Sequence, residues 1–307
     1  MSQSSHFWLN YNFLIKSLII VIFWSTPPLI SKLWVGSGVF PGLYYGFLRY
    51  GLGFVTLFLL ILLKGNLIFF LKCIKEKNWK YLFCALWLIV MIIGQNFSVF
   101  FILGSSSSIL LNFNPVFIYL LSPLLFSDEY YSNRKNIGIL ISTLGIILVF
   151  FASMEGYQEA NTQFFVIGNI LGILSGIGWA GYSLSLKWLF KENESEEVTS
   201  INLLIATIIL FTLSNFLESN LIPSIEVFTL SSLFGLAIIG VGAAALAFTL
   251  YFELVQQYGT SNAANIQFLI PLFSLFFGYM FLGEFSILTM IGGIISAIGL
   301  ILITKSS

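Results

Sequence analysis

The residues best placed to do chemistry are polar and aromatic side chains deep inside long apolar runs. In the first half these are Trp24, Arg49, Asn96 and Asn112; in the second they are Trp179, Tyr182, Tyr251 and Gln267. In apolar surroundings such a group is costly, and it is retained either to bind a solute or to bridge helices. Arginine offers a fixed positive charge for a carboxylate or phosphate, or a brace between helices. An amide offers both donors and acceptors to a neutral or zwitterionic ligand, and indole and phenol rings make a wall for an apolar or ring-bearing one. Covalent chemistry has little to work with. His6 is the one histidine, and Cys73 and Cys84 have neither metal-ligand spacing nor a disulfide framework. No catalytic residue, metal site or cofactor is expected.

The candidates come in pairs. Trp24 recurs as Trp179, an offset of 155, and at that offset Lys32 meets Lys187 and Gly104 meets Gly259. Asn112 faces Gln267, Glu129 faces Glu284 and Gly138 faces Gly293, while Pro115 and Pro271 fall one residue out of register. Arg49 has no counterpart, since Leu204 stands at its position. A unit about half the chain long is therefore duplicated, and a site is expected where the halves meet.

The elements that carry these residues follow from composition. Of 307 residues, 58% are hydrophobic and 8% charged, against about 25% charged in soluble domains. Aromatic residues make up 17%, and the net charge of zero leaves no basic footprint for nucleic acid. Spanning a bilayer takes about 20 apolar residues. Apolar runs predict ten spanning helices, at roughly 13–34, 41–63, 80–102, 105–126, 136–154, 165–189, 199–217, 228–254, 260–282 and 286–304. The fold class expected is an all-α integral membrane protein. Its first run lacks a small-residue cleavage site and reads as a retained helix. With both termini cytoplasmic, all basic residues but Lys32 and Arg49 fall on the inner side, a positive-inside pattern. Five helices per copy is odd, so the copies enter from opposite sides as inverted repeats. The domains are then 1–154 and 165–307, joined by a linker at 155–164.

These features together resemble the drug/metabolite transporter superfamily, in its ten-helix form with two EamA domains. The resemblance rests on Trp24 to Lys32 and Trp179 to Lys187, on Phe47-Leu48-Arg49, on Gly104 through Pro115 to Glu129, and on Gly259 through Pro271 to Glu284. It extends to the glycines of the closing helices, Gly138, Gly145, Gly292, Gly293 and Gly299. It implies a carrier of small metabolites such as amino acids, with nucleosides, purines or drugs as alternatives. A channel or an intramembrane enzyme is the different-class alternative, although no filter sequence, HExxH helix or histidine base supports one.

Within that frame, Asn112 and Gln267 are expected to approach each other near the midplane, while Asn114 points elsewhere and is structural. Of the adjacent pair Gln95 and Asn96, one faces the cavity; Asn96 is the candidate. Trp24 and Trp179 line the cavity or pack the core, with Tyr182, Tyr251 and Phe268 extending the aromatic wall. Lys32 and Lys187 reach headgroups at helix ends. Glu253 either cycles a proton or sits at headgroup level, and Glu192–Glu197 forms a solvated patch. The partners expected are a lipid bilayer of cytoplasmic-membrane type and a small solute, with monomer and homodimer both open.

Overall fold

The computed structural model describes residues 11–126, 133–155, 162–190, 194–221, 223–283 and 286–304. The described residues are helical with short connections. Seven spans are long and apolar enough to cross a membrane: Tyr11–Trp34, Gly42–Leu63, Trp79–Phe101, Gly104–Leu125, Phe164–Leu189, Ser195–Leu217 and Leu230–Tyr258. Three shorter apolar helices follow the same composition, Asn136–Ala152, Leu272–Leu282 and Ile287–Gly299. His6, Glu129, Glu284 and residues 156–161 of the expected linker lie outside the described residues.

Several spans are not single helices. The first divides into α1 (Tyr11–Trp24) and α2 (Pro27–Trp34). Pro27 and Pro28 cannot give N–H bonds back to Phe23 and Trp24, so the helix stops and restarts. Hydroxyls repair the gap: Thr26 Oγ1 donates to Phe23 O (2.8 Å) and Ser25 Oγ to Val21 O (2.6 Å). The fourth span divides into α5 (Gly104–Leu111) and α6 (Asn114–Leu125), separated by Asn112 and Phe113. Pro115 orphans the carbonyl of Leu111, and Asn114 Nδ2 caps that oxygen at 3.1 Å. Two spans keep going but change pitch. Between α10 (Leu230–Ala237) and α11 (Ala247–Tyr258) lies a π-helical stretch, Ile238–Leu246. Between α12 (Thr260–Ala264) and α13 (Leu269–Phe277) lies a 3-10 turn, Asn265–Phe268.

The unbroken helices form the frame. α3 (Gly42–Leu63) packs on α9 (Ser195–Leu217), α4 (Leu67–Phe101) on α8 (Thr162–Leu189), and α7 (Asn133–Glu155) on α14 (Ile287–Thr304). Glycine sets the α7–α14 distance: a Cβ on Gly145 would stand 2.4 Å from Ser296 N, and one on Gly299 2.4 Å from Ser142 N. Small residues are what allow backbones this close in a bundle.

Three expectations need correcting. The stretch left between the expected second and third helices, residues 64–79, is helical from Leu67, where α4 begins. Its Lys and Leu are good helix formers, and Lys72 and Glu76 pair one turn apart. Lys32 does not reach outward; its Nζ donates to Val99 O (2.8 Å) and Ile102 O (3.1 Å), satisfying free carbonyls at the end of α4. Glu197 is not solvated but 5% exposed in the first turn of α9, a position where the helix dipole favours a carboxylate.

Candidate functional site

Helix breaks leave backbone and side chains free to face inward, and the breaks of this fold converge. Two restarting helices and one change of pitch meet at one cavity. Pro27 opens α2, Asn114 opens α6, and Ile270 is the second residue of α13; all three line it. Hydroxyls tie the breaks together. Ser108 Oγ donates to Ser274 Oγ (2.9 Å), which donates to Ser25 O (3.3 Å). Helices α3, α4 and α8 and the start of α11 complete the walls with Arg49, Met91, Gln95, Trp179 and Phe248. The empty space is about 370 Å³, open mouth included.

The apolar side is a ring cluster. Trp24 and Trp179 meet edge to face with centroids 4.9 Å apart, and Phe248 lies 5.7 Å from Trp24 and 5.1 Å from Trp179. Such pairs add about 0.5–1.5 kcal/mol beyond area burial, enough to lock the wall. The Trp24 indole N–H donates to Ala243 O (3.1 Å), a carbonyl inside the π-helical stretch. Phe23 packs over Gly242 in the same stretch, leaving no room there for a Cβ.

The polar side is a set of partly answered groups. Asn114 Nδ2 donates to Gln267 Oε1 at 2.6 Å, across the two halves. That bond leaves Asn114 Oδ1 and Gln267 Nε2 buried without a partner, so one acceptor and one donor remain for a ligand. Asn112 lines the cavity beside them and uses its Nδ2 to cap Ser108 O (2.7 Å). Arg49 is 3% exposed, and its Nε and Nη1 have no hydrogen-bond partner. Its guanidinium lies over the Tyr50 ring, 4.8 Å from the centroid, and no ion pair to it occurs among the described residues.

Of the residues singled out from sequence, Trp24, Arg49, Asn112, Trp179 and Gln267 line this cavity. Tyr182 and Tyr251 stand one row behind, packed on Trp179 at 5.5 and 5.3 Å. The Trp179 indole N–H and Gln267 Nε2 lie near the Tyr251 hydroxyl without completing a bond to it, and that hydroxyl donates to Ser183 Oγ (3.2 Å). Asn96 does not reach the cavity. Its Nδ2 donates to Gly42 O (3.0 Å) in the first turn of α3, and its neighbour Gln95 faces inward instead. Asn114, expected to be structural, is the direct partner of Gln267. Glu253 is off the cavity and paired with Lys16 at 2.7 Å. Phe248, Met91 and Leu111 carried no sequence signal, being ordinary apolar residues in an apolar chain. Asn114 had one, an amide placed next to a helix-breaking proline.

Among the described residues, a helical fold with seven spans long and apolar enough to cross a membrane, and a cavity where broken helices converge, is the architecture of an integral membrane protein. Residues 166–305 match the EamA-like transporter family. The chain is 22% identical to a Bacillus subtilis (strain 168) protein named Uncharacterized transporter YoaV, over 81% of this chain and 82% of that protein. It is 26% identical to an Archaeoglobus fulgidus protein named Uncharacterized transporter, over 66% of this chain and 67% of that one. A solved crystal structure at 14% identity superposes with TM-score 0.70, covering 95% of this chain and 97% of the other, a likeness of fold. The second half is thus similar to EamA-like transporters, and long stretches of the chain are similar to proteins named as transporters.

Proposed function

We propose that the protein is a ten-helix secondary carrier that moves a small organic metabolite across the cytoplasmic membrane by alternating access, outward in preference to inward. The observation that carries this reading is the cavity itself, enclosed by broken helices from both halves and lined by a symmetry-related tryptophan pair. Carriers of this kind place their solute near the midplane, at discontinuous helices between two repeats. Helix pairing supports the inverted arrangement: the second spans of the halves pack together as α3 and α9, and the fifth as α7 and α14. The third span of each half packs on the first of the other, α4 on α8 and α11 on α1.

Alternation also needs contacts that break at each end in turn, and both ends have them. At the end carrying the basic residues, Lys16 pairs with Glu253 and Phe13 packs edge-on against Tyr258 at 5.1 Å. At the other end, Glu218 accepts from the backbone N–H groups of Leu43 (3.0 Å) and Tyr44 (2.9 Å) at the start of α3. Any coupling through Glu253 would act by releasing Lys16.

In reconstituted vesicles the protein should give saturable flux, with labelled solute exchanging against unlabelled solute on the far side. Flux that rises linearly with concentration and shows no exchange would sink the carrier reading in favour of a channel.

A further inference from the structure

The charge inside the cavity is incomplete. Among the described residues Arg49 is its one charged lining residue, 3% exposed, with two guanidinium nitrogens unpartnered. No described Asp or Glu lines the cavity, and acids elsewhere in the bundle have partners of their own: Glu253 with Lys16, Glu218 with α3, and Glu196 with Lys64. Glu197 is distant. Thr207 of α9 packs at the level of Gly51, and Glu197 lies ten residues further along, about 15 Å at 1.5 Å per residue. Arginine cannot shed its proton to relieve burial, and a buried charge without a partner is strongly unfavourable. The starts of α2 and α6 turn two positive dipole ends toward the same space.

We propose that the solute itself completes Arg49. The cavity takes an organic monoanion, a carboxylate on an apolar or aromatic body, and reorients readily only with that anion in place, so that the protein works as an exchanger. This rests on the carrier reading and narrows it. The carboxylate sits on Arg49 and Gln267 Nε2, and the body lies against Trp24, Trp179 and Phe248. Asn114 Oδ1 accepts from any neutral donor the solute carries. An ammonium group finds no carboxylate here, which ranks an amino acid below its 2-oxo analogue and a simple amine last. The empty cavity closes around a bare guanidinium, and that is what slows the return of the unloaded carrier.

The test uses three probes on one body: phenylpyruvate, phenylalanine and phenethylamine. Thermal stabilisation of the purified full-length protein should fall in that order, with phenethylamine inactive. Arg49→Gln should weaken phenylpyruvate about ten- to a hundredfold, the loss of a charge-assisted pair, while Arg49→Lys keeps most of it. In vesicles, external phenylpyruvate should speed release of labelled phenylpyruvate about tenfold over anion-free buffer, since every tenfold is one step of 1.4 kcal/mol. Gln95→Glu guards against a misfolded Arg49 variant. An internal acid in the cavity should raise the melting point of the empty protein and abolish anion binding. The proposal is overturned if phenethylamine binds as tightly as phenylpyruvate, or if the ranking survives in Arg49→Gln. Equally fast release into anion-free buffer overturns it too. Binding in the expected order without any flux would instead remove the carrier reading and leave the anion site standing.

Discussion

Trp24 and Trp179 occupy matching places in the two halves, yet their helices behave differently. α1 ends at Trp24 and α2 restarts at Pro27, whereas α8 runs unbroken through Trp179 to Leu189. The cause is local: Pro27 and Pro28 stand where the second half has Tyr182 and Ser183. The consequence is a division of labour. The first half supplies the two restarts, the charge of Arg49 and the Asn114 amide. The second supplies the continuous α8 with Trp179, and sets Phe248 and Gln267 at changes of pitch. The family match covers 166–305, the half without the arginine. The tryptophans match across the offset of 155, while the cavity's charge has no counterpart, Leu204 standing at the position of Arg49.

The comparison breaks first at the tryptophans. Trp24→Ala and Trp179→Ala each remove a ring that touches at least three others, and each should cost about 3–5 kcal/mol in reversible unfolding. The phenylalanine variants separate the halves. Trp24→Phe gives up the bond to Ala243 and should lose about 1 kcal/mol, whereas Trp179→Phe gives up no completed bond. Equal losses in the two would mean the indoles are equivalent after all.

The paired glycines come next. Gly259 ends α11 at φ 86°, ψ 157°, a conformation open essentially to glycine alone, and Gly259→Ala should cost about 1–3 kcal/mol through the backbone. Nothing lies within 4 Å of a Cβ there, so crowding plays no part. Gly104 is the opposite case, an ordinary helical residue facing the Pro28 carbonyl, where a Cβ would stand 3.0 Å away. Circular-dichroism melts of the two alanine variants read out the contrast. The atoms that crowd position 104 are the Pro28 carbonyl and the Lys32 Cβ at 3.1 Å, neither the end of a flexible side chain, so the two costs have different physical origins.

The smallest effect is the amide bridge. A double-mutant cycle on Asn114→Ala and Gln267→Ala should give a coupling of about 0.6–1.7 kcal/mol, the range of interhelical polar contacts in membranes. The same cycle on Asn112 and Gln267 should give none, because Asn112 caps its own helix instead. A coupling there would restore the direct approach that symmetry suggested.

Those contrasts mark how far residues alone could be read. Composition and run length were enough for an apolar helical bundle, because a bilayer's thickness and unforgiving polarity leave few ways to satisfy a backbone. The offset of 155 pointed to the meeting of the halves, and Trp24, Arg49, Asn112, Trp179 and Gln267 could be named from polar or aromatic chemistry in apolar runs. Rotation about a helix axis was beyond reach. Gln95 and Asn96 are neighbours of like chemistry, and only the packing of α4 against α3 turns one inward and ties the other to Gly42. Lys32 looked like an end residue until the end of α4 came beside it with unpaired carbonyls. Pitch changes were equally hidden, since the π-helical stretch at 238–246 answers to Phe23 and Trp24 from the other half. The sequence by itself determined what kinds of group this protein carries into the membrane. Which of them face one another was decided by tertiary packing, because a side chain's partner depends on helix rotation and breaks set by contacts more than fifty residues away.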